Sequence, residues 1–188
     1  LWLWVPGFRR RHERLVVTFG AATGVLLLVV AYIQIMRGEF TAALNAWEDG
    51  HFAIETAGYQ LSFVLVGAWA GLRRRTQAFQ GVGFGLILCV GFAALANLFG
   101  WGGRFPLVAQ HGCWHLGLGV ALLTSAALGR VPWLRPLLAI VALGYGYFAA
   151  IHLHAWLVQG ELSMGHVGPS RWHDLALPAA VFWILRRR

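Results

Sequence analysis

Six runs of mainly apolar residues alternate with short polar stretches along the chain, at roughly 15–36, 52–72, 79–101, 107–128, 134–158 and 172–185. The first five approach or exceed the ~20 residues that a helix needs to cross a ~30 Å hydrocarbon core. The sixth is short, and the Arg186-Arg187-Arg188 that follows it would complete the crossing by snorkelling. The pattern predicts an all-α integral membrane bundle of about six transmembrane helices. It leaves no room for a separate soluble domain, so residues 1–188 read as a single transmembrane domain.

The polar positions inside these runs gather toward one side. Gln34 closes the first run, Glu55 and Tyr59 stand early in the second, and Asn97 is late in the third. His111 and His115 begin the fourth, His152 and His154 end the fifth, and Asp174 opens the sixth. The other halves of the runs offer little beyond Thr18, Thr23, Thr124 and Ser125. Helical spacing assigns faces. His51, Glu55, Tyr59 and Ser62 form one stripe, and His111 and His115, four apart, share another. His152 and His154 point in nearly opposite directions. Tyr145 and Phe148 share the His152 face, which turns His152 inward and leaves His154 to the headgroups. Pro178 removes a helical bond to the Asp174 carbonyl, placing a carboxylate and a freed carbonyl together at the mouth of the last helix.

Composition supports a membrane location. The chain is 59% hydrophobic and 12% charged, against about 25% charged for a soluble domain. All fifteen basic residues are Arg, which excludes chemistry that needs a lysine Schiff base. The arginines cluster at run ends rather than along one face, so the net charge of +8 is a topology signal and not a nucleic-acid footprint. Twelve of them (Arg9, Arg10, Arg11, Arg14, Arg73 to Arg75, Arg130, Arg135 and Arg186 to Arg188) fall on one side, and Arg37, Arg104 and Arg171 on the other. The positive-inside rule then places both termini in the cytoplasm and the histidine layer on the outer, periplasmic side. Trp47, Trp69, Trp101, Trp133, Trp156 and Trp172 lie at or near run ends, as an aromatic belt requires. No cleavage pattern follows the first run, which is expected to remain as a membrane helix.

Cys89 and Cys113 both fall inside apolar runs and give no disulfide framework. The pairs Gly20/Gly24, Gly67/Gly71 and Gly81/Gly85 predict close helix packing. In Glu39–Glu48, the residues Phe40, Ala43, Leu44 and Trp47 share a face and predict a helix lying on the outer surface. The loop 159–174 is rich in Gly and polar groups.

A lone interfacial histidine is ordinarily a hydrogen-bonding anchor, the reading given to His51, His154 and His166. Glu55 and Asp174, taken singly, suit helix starts. The combination carries more. His111, His115 and His152 with Glu55 and Asp174 have the composition of a site for a transition metal such as Cu, Zn or Fe. His115 and His152 would alternatively serve as axial haem ligands. A proton or ion relay ranks third.

Two stretches carry a resemblance. Glu13–Gly58, with Trp47, Phe52 and Glu55, resembles the first half of a family of small bacterial polytopic membrane proteins of unknown function, in which Phe-x-x-Glu follows a Trp-containing loop. His152, Gly165, Gly168, Trp172, Asp174 and Pro178 match that family's closing pattern of His, Gly-Asn-x-Gly, Trp-x-Asp and Pro. His166 stands where the family has Asn, and residues 79–130 add a helix pair to the family's four. The resemblance implies a shared outer-side site at Glu55, His152 and Asp174, and says nothing about His111 and His115.

The expectation is a multi-pass protein of the bacterial inner membrane with a metal site near the periplasmic face and a redox or metal-handling role, completed by a quinone or a partner protein. The rival is an accessory subunit of a larger respiratory or photosynthetic membrane complex. The nearly apolar inner halves argue against an ion transporter.

Overall fold

The computed structural model describes residues 11–37, 51–159 and 172–186. These residues form six helices: α1 (Arg11–Met36), α2 (His51–Leu72), α3 (Thr76–Phe99), α4 (Pro106–Ala127), α5 (Val131–Gln159) and α6 (Trp172–Arg186). The surface helix expected at Glu39–Glu48 and nearly all of the loop 159–174, with His166, Gly165 and Gly168, lie outside the described residues.

The turns follow from local chemistry. Gly100 ends α3 in the left-handed region at φ 64°, and its N–H returns to the Ala96 carbonyl. Pro106 opens α4, where its missing N–H costs nothing. Gly129, at φ 62°, turns the chain from α4 into α5.

α1, α3 and α5 are long and apolar enough to cross a membrane. α6 has 15 residues, about 22 Å at 1.5 Å per residue. α2 and α4 are 22 residues each, and α2 carries Glu55 and α4 carries His111 and His115. Ionisable groups inside a membrane bundle are costly.

α4 is the central helix. It packs most extensively on α1 and next on α3, and also meets α2 and α5, while α5 packs on α2 and α6. Fourteen of its residues are buried, on every side of the helix. In lipid, apolar burial gives helices little reason to associate, so close packing through small residues has to do it. α1 and α4 cross at Gly24 and Gly119, where a Cβ added to either would stand 3.0–3.1 Å from the other's carbonyl oxygen. α3 and α4 cross at Gly117, where an added Cβ would stand 2.5 Å from the Cys89 backbone. A side chain at Gly117 would therefore force these two helices apart. The expected close packing holds at Gly20, Gly24, Gly81 and Gly85. It does not hold at Gly67 and Gly71, whose nearest neighbours, Val82 and Phe79, stand at ordinary contact distances of 3.5 and 3.9 Å.

Candidate metal centre

One end of the bundle gathers the polar groups. α1 ends there, α2 begins, α4 begins, α5 ends and α6 begins, so Gln34, Glu55, His111, His115, His152 and Asp174 come to similar depth. All six are buried, with relative exposures of 1–7%. His154, two residues beyond His152, is exposed, as the opposed faces of the helix require.

Glu55 is the hub. Its Oε2 lies 3.3 Å from His111 Nε2, and its Oε1 lies 3.5 Å from His152 Nε2. Each imidazole is held from behind through its other nitrogen. His152 Nδ1 is 3.2 Å from Asp174 Oδ2, and His111 Nδ1 is 3.1 Å from Thr56 Oγ1. Thr56 in turn donates its hydroxyl to the Phe52 carbonyl one turn back, at 2.8 Å.

These contacts assign protons. A carbonyl oxygen can only accept, so the single Thr56 proton is committed to Phe52. Thr56 therefore accepts from His111, and His111 carries its proton on Nδ1. An ionised Asp174 likewise accepts from His152 Nδ1–H. In their neutral forms both imidazoles then present an Nε2 lone pair to the Glu55 carboxylate. With Glu55 ionised and both imidazoles neutral, acceptor faces acceptor at these two contacts, and a proton or a cation placed between them would turn each contact into an attraction.

His115 is one turn deeper on the same helix and has a different setting. Its Nδ1 pairs with Gln34 Oε1 at 2.8 Å, and its Nε2 with the Tyr145 hydroxyl at 3.3 Å. The amide oxygen accepts from Nδ1–H, so Tyr145 donates to Nε2, and the ring is satisfied as a neutral group. The two α4 imidazoles meet edge to face with centroids 4.6 Å apart. Tyr59, fully buried, packs against His111, His115, Tyr145 and Phe148 at centroid separations of 5.2–6.4 Å. This aromatic packing backs the site on its deeper side.

The structure thus joins four of the five expected donors, His111, Glu55, His152 and Asp174, in one run of contacts. His115 reaches that run only through the edge of its ring. Among the described residues, no three His, Cys, Asp or Glu donors already enclose a common point as a group able to hold a metal ion. His115 and His152, the expected haem pair, contact different partners: Gln34 and Tyr145 for one, Glu55 and Asp174 for the other. Asn97 takes no part; it pairs with Gln110 at 2.7 Å in an exposed contact. Sequence reasoning assigned no role to Thr56, although a Thr that bonds its own i−4 carbonyl leaves its oxygen available to a neighbouring helix. It also grouped Tyr145 with His152, whereas the hydroxyl bonds His115.

No family model, curated protein or solved structure matches the chain.

Proposed function

We propose that the protein is a bacterial inner-membrane metalloprotein. Glu55, His111 and His152 would bind one divalent transition metal near the periplasmic face, and Asp174 and Thr56 would orient the two imidazoles. One observation carries this reading: two Nε2 atoms, on rings whose Nδ1 atoms have partners of their own, converge on a single carboxylate. The separations agree with it. At 3.3 and 3.5 Å they exceed the usual ~2.7–3.2 Å of an N–H···O bond. They match the roughly 3.3 Å that separates neighbouring ligands on a tetrahedral metal with ~2.0–2.1 Å bonds.

Two imidazoles and one carboxylate suit Zn, Fe or Cu, and leave coordination positions open for a reacting group. The carboxylate–histidine contact at Asp174 is the arrangement that raises ligand basicity and fixes the tautomer in metal sites. A bound ion would supply Lewis acidity or electron transfer, which is the basis for a redox or metal-handling role, with a quinone or a partner subunit as the counterpart. His115 is assigned no ligand role.

A second reading is favoured by the continuity of the run Thr56, His111, Glu55, His152, Asp174, whose neighbours stand 3.1–3.5 Å apart. Such a run can pass protons between imidazoles through Glu55 without a metal. Titration of the detergent-purified chain with Co²⁺, followed by visible absorption, separates the two. Saturation at one equivalent, with the d–d bands of a nitrogen and oxygen site, supports the metal centre. No spectral change, with Zn²⁺ equally unbound in equilibrium dialysis, defeats it and leaves the relay. A Soret band in the protein as isolated would favour haem.

A further inference from the structure

The opposite end of the bundle holds a cavity of about 2240 Å³ that the metal reading does not use. It opens among the start of α1, the end of α2, the starts of α3 and α5 and the end of α6. Among the described residues, its rim carries Arg74, Arg75 and Arg135, with Glu13 as the one carboxylate. All three arginines are exposed, and none is held in an ion pair with a described residue. The rim is built at some cost, because Arg74 occupies the left-handed region at φ 50°, a conformation that side chains other than Gly rarely adopt. The turn is closed by the Arg75 N–H on the Ala70 carbonyl, and it sets Arg74 and Arg75 side by side at the cavity.

Below the rim the lining changes character. Leu65, Leu143, Trp69 and Trp183 line the cavity, and each is 45–51% exposed. The site is therefore cationic at its mouth and apolar along its wall. Its volume is well above the ~300–1,000 Å³ of ordinary small-molecule pockets. A small anion would use the rim and leave the wall empty, whereas an apolar ligand would leave three arginines uncompensated. An anionic amphiphile satisfies both.

We propose that this cavity binds one anionic phospholipid, its phosphate between Arg74, Arg75 and Arg135 and an acyl chain along Leu65, Leu143 and the two tryptophans. Basic pockets between membrane helices select such headgroups electrostatically. The bound lipid would tie α2, α3, α5 and α6 together at the end where the sites of the two readings above have no influence.

Native mass spectrometry of the detergent-solubilised full chain tests this, with phosphatidylglycerol and phosphatidylcholine of identical acyl chains as probes. The chain is expected to retain one phosphatidylglycerol at concentrations where phosphatidylcholine is lost. Arg135→Gln should weaken that preference about fivefold, and Arg74→Gln/Arg75→Gln/Arg135→Gln should abolish it, at about fivefold per arginine. Arg104→Gln, at the other end of the bundle, should leave it intact. Equal retention of the two lipids overturns the proposal, as does a preference that survives in both Arg135→Gln and the triple variant. Displacement of the lipid by millimolar inorganic phosphate would show a headgroup-only anion site and also overturn it. A lipid-free mass of two chains would assign the cavity to a second copy instead.

Discussion

His111 and His115 lie one turn apart on α4, are equally buried and touch each other, yet they belong to different chemistry. His111 faces a carboxylate and His115 faces an amide and a phenol. The Gln34–His115–Tyr145 group can satisfy every ring nitrogen with neutral partners and needs no added charge. The Thr56–His111–Glu55–His152–Asp174 group differs: two carboxylates enter it, and both imidazoles direct Nε2 at Glu55. Burial and i,i+4 spacing alone therefore do not identify a ligand. What Nε2 faces separates the two rings: both have an Nδ1 partner, and only at His111 does Nε2 meet a carboxylate, whereas at His115 it meets a phenol.

Substitutions can break this contrast from either side. The largest effect is expected at the hub: Glu55→Gln keeps the shape and removes the charge that a cation needs, and should lower Zn²⁺ affinity in equilibrium dialysis by more than about 100-fold, beyond the range for an outer partner. Asp174→Asn should follow, with a loss of about 10–100-fold, since an amide still positions the His152 ring but no longer raises its basicity. Thr56→Val should cost about tenfold, because the hydroxyl that orients His111 through Nδ1 is neutral and reaches the ion only across the imidazole ring. Gln34→Leu should leave metal affinity unchanged and lower stability in detergent by about 1 kcal/mol, the value of an interhelical hydrogen bond in a membrane protein. A metal loss in Gln34→Leu as large as that in Asp174→Asn would erase the distinction between the two groups.

Much of this arrangement is legible in the chain. The six apolar runs coincide with the six described helices to within a few residues at most ends, because a bundle that must bury its own backbone groups leaves little freedom in element length. The depth of the polar layer is legible for the same reason: position along a helix is height in the bundle. Azimuth is not. Nothing local to PLVAQHGCWHLG states that His111 turns toward α2 while His115 is flanked by α1 and α5; that follows from how α4 seats among its neighbours. The seating depends on contacts such as Gly24 against Gly119 and Gly117 against Cys89, and neither Gly117 nor Gly119 belongs to the glycine pairs that stood out in the sequence. Thr56 escaped notice because its role needs a partner 55 residues away. Gly67 and Gly71 stood out and make no close crossing, since small-residue spacing is necessary for close packing and not sufficient.

The most direct test of the central claim is metal stoichiometry in two alanine variants of the same helix. His111→Ala and His115→Ala, purified in detergent without chelator and loaded with one equivalent of Zn²⁺, would be compared with the parent by elemental analysis after desalting. About one metal per chain is expected in the parent and in His115→Ala, and essentially none in His111→Ala. Metal retained in His111→Ala, lost to the same degree in both variants, or absent from the folded parent would contradict that claim.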